Sequence, residues 1–238
     1  MWGMLVAWGE WMKVNTFDKK LFQLYHIIMP KLNLYKLQEK FGEIKKSIFT
    51  PQDLKLLFYA NDRAINGFLT YNNKKGKILK LKKGLYGISK SNFSSNLIAN
   101  LAYKPSYISF ETALSYYHLI PETVYSIISA TSKASREWNM QNTNYIYRSI
   151  KKEAYAGYII KTIENEQVLI ATPEKALADY CYFIYLGKIK EWNSRLELKD
   201  INLKKVKEYL KLFNNRKIIN FIKKYLPQLC LIVNCLIG

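Results

Sequence analysis

At 238 residues, 49% of them apolar, the chain is long enough for two ordinary domains with a buried core in each, which argues against overall disorder. Its 37 Lys and Arg against 18 Asp and Glu give a net charge of +19, a positive field suited to a polyanion such as nucleic acid or an anionic membrane surface. Three cysteines, Cys181, Cys230 and Cys235, form an odd set without CxxC spacing, and the two histidines, His26 and His118, lie far apart, so neither a disulfide framework nor a metal or cofactor site is expected.

Residues 1–30 fit no clear template: Trp2, Trp8 and Trp11 sit in a Gly-interrupted stretch, and the reading is an N-terminal extension outside the fold. The first twelve residues lack a basic segment ahead of the apolar one, and Glu10 interrupts them well short of the ~20 residues a membrane span needs. Neither secretion nor insertion is expected, and a cytoplasmic protein follows. From residue 32 to 44, Leu34, Leu37, Phe41 and Ile44 recur at spacings of three and four, which predicts a helix. Thr50 is a candidate cap and Pro51 a candidate first helical residue, so a second, short helix is expected from Pro51 to about Tyr59. After a tight turn around Ala60, Asn61 supplies another cap, and Ile65, Phe68 and Leu69 mark the buried stripe of a third helix that Gly76 ends. The period then changes to two over residues 77–81 and 85–88, around the basic turn Lys82-Lys83-Gly84, as in a hairpin.

Helix, helix, short turn, helix and hairpin is the order of a winged helix-turn-helix, in which the third helix enters the major groove and the hairpin lies along the backbone. With Ile65, Phe68 and Leu69 inward, the opposite face carries Arg63, Asn66, Gly67, Thr70, Asn73 and Lys74. Arg and Asn have donors for base edges, Gly67 permits close approach, and Thr70 suits a phosphate or a thymine methyl. Thr50, Gln52, Asn61, Lys75, Lys77, Lys80, Lys82 and Lys83 complete the expected DNA-binding set, the hairpin lysines as phosphate contacts. The competing reading of the hairpin is a solvated edge strand whose lysines block aggregation. Codon bias toward Lys, Asn, Ile and Tyr also raises basic charge without function, but drift would spread it evenly. Residues 31–90 instead hold 14 basic and 4 acidic residues, net +10, against +8 over residues 91–238.

Residues 91–103 are expected to connect the domains, with Leu97, Ile98 and Leu101 hinting at a packed helix. From residue 104 onward the pattern is mixed α/β. A short strand at 107–109 leads to a helix over 110–117, with Ser109 as its cap and Glu111 and Thr112 in its first turn. Strands are expected at 124–130, 145–150, 154–162 and 168–171, with Glu164, Asn165 and Glu166 in a hairpin turn. Thr172-Pro173 then opens a helix over 174–186 with its apolar residues on one side, and helices over 203–213 and 216–225 follow. Within the first of these, Glu174, Lys175 and Asp179 are expected to cap and to pair across one turn. The apolar run 229–237 is too short to span a bilayer and reads as a buried strand or helix turn. The fold class is α+β, an N-terminal winged helix-turn-helix followed by a mixed α/β domain.

Three stretches resemble the AbiEi-type antitoxins of bacterial abortive-infection and type IV toxin-antitoxin systems. They are Lys82-Lys83-Gly84-Leu85-Tyr86, the segment Ser106-Tyr107-Ile108-Ser109-Phe110-Glu111-Thr112-Ala113-Leu114 continuing to Leu119-Ile120-Pro121, and Ala171-Thr172-Pro173-Glu174-Lys175-Ala176-Leu177-Ala178-Asp179. The resemblance implies a winged helix that binds inverted repeats in its own promoter as an autorepressor. It also implies a second domain that counters a nucleotidyltransferase-like toxin without a stable direct complex. Within that domain it marks Tyr107, Ser109, Glu111, Thr112, Glu174, Lys175 and Asp179 as motif residues of unassigned role. The rival class is a metal-dependent nuclease, for which Asp179 with Glu197-Leu198-Lys199 has the spacing of an Asp followed by Glu-x-Lys. A pure binding scaffold would leave the concentrated hairpin charge unexplained.

Overall fold

The computed structural model describes residues 32–44, 46–89, 93–122, 124–140, 142–198 and 200–225. The extension expected at 1–30 and the apolar run at 229–237 lie outside the described residues. The described chain is mixed α+β, with eight α-helices and two sheets, and it divides into two compact units between residues 92 and 93.

In the first unit, helix α1 (Leu34–Glu43) starts where the Asn33 side chain accepts a hydrogen bond from the Lys36 amide at 2.8 Å, and it buries Leu37 and Phe41. Ile44, expected on the same stripe, is exposed because the helix stops at Glu43 and the helical spacing stops with it. A two-residue strand β1 (Ile48–Phe49), not foreseen from the sequence, precedes helix α2 (Pro51–Phe58). That helix opens with a reciprocal capping box: the Asp53 amide donates to the Thr50 hydroxyl at 3.3 Å, and the Thr50 amide donates to the Asp53 carboxylate at 2.7 Å. Tyr59 ends it in a left-handed conformation, φ 50°, and helix α3 (Asp62–Lys74) begins after three residues with Asn61 accepting from the Ala64 amide.

Strands β2 (Ile78–Lys82) and β3 (Leu85–Ile88) form the expected hairpin, and β1 adds to β3, giving the antiparallel order β1-β3-β2. Strict alternation along β2 would turn Lys80 and Lys82 to the side of Ile78. An irregularity between Lys80 and Lys82 breaks it, and buries Leu81 while Lys80 stays exposed. Gly84, φ 79°, supplies the left-handed residue of the turn. Leu37, Phe41, Phe49, Leu54, Phe58, Ile65, Leu69, Ile78 and Ile88 make one core, to which α1, α2, α3 and the strands β1, β2 and β3 all contribute.

The second unit is built on a six-stranded mixed sheet in the order β6-β7-β5-β4-β9-β8. Its strands are β4 (Ser106–Ile108), β5 (Ser126–Thr131), β6 (Arg136–Met140), β7 (Thr143–Ser149), β8 (Tyr158–Ile163) and β9 (Glu166–Ala171). β4 pairs parallel with β9 and β5 parallel with β7, while the remaining pairs are antiparallel. Strand β6 was not expected, and residues 154–162 are not one strand: a 3-10 turn at Lys152–Ala154 and Gly157, φ 77°, delay β8 until Tyr158. Glu164 and Asn165, both left-handed, form the β8–β9 turn.

Helix α4 (Ser95–Ala102) occupies most of the stretch read as a connection, and it packs on β4, β5 and β9 within the second unit. There the Asn100 side chain bonds both the amide and the carbonyl of Leu169, as a neighbouring strand would. Helix α5 (Phe110–Tyr116) and helix α6 (Pro173–Tyr185) follow β4 and β9. Helix α6 does not have one apolar side: it is buried all round from Lys175 to Ile184, because α5, α7 (Leu203–Lys211) and α8 (Arg216–Lys223) enclose it. No helix among the described residues is long and apolar enough to cross a membrane.

Candidate nucleic-acid interface

The first unit separates apolar from basic along α3. Ile65 and Leu69 are almost fully buried and Phe68 is half-buried against the core, while Arg63, Asn66, Gly67, Thr70, Asn73 and Lys74 are exposed. Their spacing of three and four residues puts the exposed set on one stripe opposite the core. A methyl group added at Gly67 would meet nothing within 4 Å, so this stripe has an open notch at its centre.

Beyond the helix, Lys75, Lys77, Lys80 and Lys83 are exposed and Lys82 is half-buried. Among the described residues no carboxylate lies within ion-pair distance of Arg63, Lys74, Lys77, Lys80 or Lys83. Lys75 lies over the Tyr71 ring at 6.0 Å. Five uncompensated cations on one helix face and the following hairpin are a surface suited to phosphates.

Several residues of the expected contact set have intramolecular work. The Thr50 hydroxyl and the Asn61 side chain are caps, and the Asn73 amide donates to the Ile78 carbonyl at 3.0 Å, tying α3 to β2. Gln52 is exposed in the first turn of α2. Burial opposes charge on Asp53, but the hydrogen bond from Lys46 at 2.8 Å, with those from the Thr50 amide and hydroxyl, holds its carboxyl below the usual range.

In the second unit the motif residues converge on a buried polar knot. Lys175 and Asp179, both 0% exposed, pair across one turn of α6 at 2.5 Å. The other Asp179 oxygen accepts from the Tyr107 hydroxyl at 3.0 Å and the Ser109 hydroxyl at 2.7 Å, so α6 is tied to β4 and to the start of α5. Ser109 sits at the cap position of α5 but spends its hydroxyl on Asp179, not on the helix amides as expected. Burial raises Asp179 above the ordinary carboxylate range, against Lys175 and the two hydroxyls that favour its charge, and burial beside Asp179 lifts the Tyr107 hydroxyl well up.

Glu111 forms a two-pronged pair with Arg148 of β7, at 2.6 and 3.2 Å. The Thr112 hydroxyl donates to the Ser126 carbonyl and accepts from the Ile128 amide, both at 2.9 Å. Glu174 is half-buried in the first turn of α6, whose cap is Thr172. Five of the seven motif side chains therefore fasten one element to another, and Lys175 holds Asp179 from within α6.

Asp179 has both oxygens engaged and no access to water, a poor starting point for a metal ligand. Among the described residues no group of three or more His, Cys, Asp or Glu side chains has the geometry to hold a metal. Glu197 instead lines a shallow pocket of about 280 Å³ with Ser115, His118, Ile120, Pro121 and Glu122. Compared with known proteins, the chain matches no family model and no curated sequence.

Proposed function

We propose that this protein is a DNA-binding regulator whose first unit acts as a winged helix-turn-helix, with α3 in the major groove of duplex DNA and the β2–β3 hairpin along the phosphate backbone. The observation that carries the reading is the exposed stripe Arg63, Asn66, Gly67, Thr70 and Lys74, opposite the buried Ile65 and Leu69 and followed by the lysine hairpin. Arg63 and Asn66 are the base-reading candidates, and Lys77, Lys80, Lys82 and Lys83 the phosphate contacts. By its resemblance to AbiEi-type antitoxins, the protein acts in the cytoplasm as autorepressor of a type IV toxin-antitoxin operon. It binds inverted repeats in its own promoter and counters a nucleotidyltransferase-like toxin without holding it in a stable complex.

The activity is binding and not catalysis, a reading supported by the enclosure of Asp179. The test is affinity for duplex DNA from upstream of the gene and for random duplex. Arg63→Ala and Asn66→Ala should each cost about 1 to 3 kcal/mol on the specific site and far less on random sequence. Equal losses on both would remove the base-reading role, and magnesium-dependent plasmid nicking by the purified chain would favour the nuclease.

A further inference from the structure

Beyond residue 90 the chain has 20 basic and 12 acidic residues, net +8, and residues 203–224 alone hold eight basic and one acidic residue, net +7. The rest of the second unit is therefore almost neutral, and its charge is gathered on α7 and α8.

The local sequence explains how it is displayed. Helix α7 buries Val206 and Leu210, which leaves Lys204 and Lys211 exposed on an outward stripe that also carries Glu208, with Lys207 half-buried at its edge. Beyond α7, Ile218 and Ile222 are buried, and Lys217, Asn220 and Lys224, at i, i+3 and i+7, are exposed. Between the stripes lies an open groove of about 530 Å³ lined by Lys211, Asn214, Asn215, Ile219 and Asn220, with no carboxylate in its lining. None of Lys204, Lys205, Lys207, Lys211 or Lys217 has an ion pair among the described residues.

We infer that the α7–α8 face is a second nucleic-acid surface, one that grips the phosphate backbone of duplex DNA without reading sequence. Lysine ammonium groups and asparagine amides are donors for phosphate oxygens. The aromatic residues here, Tyr209, Phe221 and Tyr225, are half-buried, so the outward stripes present no ring for stacking bases as a single-strand surface would. Val206, Leu210, Ile218 and Ile222 are buried and Ile219, in the groove, is half-buried, so neither helix presents an exposed apolar flank to enter a bilayer. The choice of duplex DNA over other polyanions rests on the reading of the first unit; the surface itself does not.

The experiment uses the full chain and a random-sequence duplex, with affinity measured across salt concentrations. Replacing Lys204, Lys207, Lys211 and Lys217 together by Gln should lower the slope of log affinity against log salt by about three to four units, since each lost phosphate contact removes about 0.9. Replacing four other cations of the same unit, Lys104, Lys133, Arg136 and Lys161, should leave the slope unchanged. An unchanged slope in the first variant, in protein whose circular dichroism matches the wild type, overturns the inference, as does an equal drop in both variants. So does binding to phosphatidylserine vesicles or to duplex RNA but not to duplex DNA. A Lys82→Ala/Lys83→Ala variant is run in parallel: if it keeps the slope while the α7–α8 variant loses it, the first unit's reading falls and this surface stands.

Discussion

Gly67→Ala separates folding from binding at the centre of the proposed recognition stripe. Glycine inside a helix is less favourable than alanine by about 0.8 to 1 kcal/mol, chiefly because it is freer in the unfolded chain. That gain is usually offset where the new methyl meets a neighbour, but at Gly67 nothing lies within 4 Å of the added carbon and the residue is exposed in mid-helix. The free protein should therefore become more stable by close to the full amount, a rise in melting temperature of roughly 2 to 4 °C for a chain of this size. In the complex the same methyl stands where α3 meets the groove, flanked by Arg63, Asn66 and Thr70, and forcing an extra carbon into a packed contact costs about 1 to 3 kcal/mol. Affinity for the specific duplex should fall by about fivefold to a hundredfold or more, since about 1.4 kcal/mol is tenfold. Calorimetric melting and fluorescence anisotropy on the same preparation give both numbers. A more stable protein with unchanged affinity would refute the placement of this stripe against DNA, and a less stable one would refute the packing argument.

Lys82→Ala/Lys83→Ala should lower the salt slope on any duplex by up to about two units without changing preference among sequences, as read by titration across salt concentrations. Asp53→Ala should cost about 0.5 to 2 kcal/mol in a denaturant titration, because it removes the carboxylate half of the capping box and the partner of Lys46. Asp53 has its pKa lowered by folding, so its contribution is complete above the unfolded carboxylate value near about 3.9 and is lost as pH falls through the lower folded value; wild type and Asp53→Ala should converge in stability below that range. Lys175→Met should destabilise the second unit by about 3 to 5 kcal/mol by stranding a buried carboxylate, and Lys175→Met with Asp179→Asn should recover much of the loss. A double variant no better than the single would show that Asp179 does not need Lys175.

What was legible in the sequence were the features with local causes. Thr50, Asn61 and Gly84 signal their caps and turn through their own chemistry, and α2, α3 and the hairpin lie within a residue or two of expectation. Strand β1 has two residues and exists through pairing with β3 almost forty residues away, which no window around Ile48 contains. Strand β6 reads Arg-Glu-Trp-Asn-Met, an edge strand with little apolar alternation, and is held by its partner β7. On α6 the residues Tyr180, Cys181 and Tyr182 suit either a surface or a core, so only the helices around it show that it is buried all round. The pairing of Lys175 with Asp179 was readable from its four-residue spacing, but its burial was not, because Tyr107 and Ser109 arrive from a strand seventy residues earlier. The basic face of α7 and α8 was present as composition, and averaging over the whole second half concealed it.

The buried knot also changes what the resemblance to antitoxins is able to say. Of the three stretches that carry it, the hairpin turn is on the surface, while the other two supply Tyr107, Ser109, Lys175 and Asp179, all 0% exposed. Groups so enclosed cannot meet a toxin, a nucleotide or a nucleic acid without the unit opening, and a charge pair with both carboxylate oxygens satisfied would resist that opening. Similarity at these positions thus reports the way β4, α5 and α6 are joined, which is a statement about fold. Any contact the second unit makes with a partner is left to its exposed faces and to the half-buried Glu111, Thr112 and Glu174. Among those faces α7 and α8 carry nearly all of the unit's net charge, so the substitution of Lys204, Lys207, Lys211 and Lys217 tests the proposed antitoxin role as well as the proposed DNA binding. If toxin rescue in a growth assay survives that variant at matched expression, rescue and polyanion binding reside on different surfaces. If rescue is lost while the fold is intact, the basic face is shared by both.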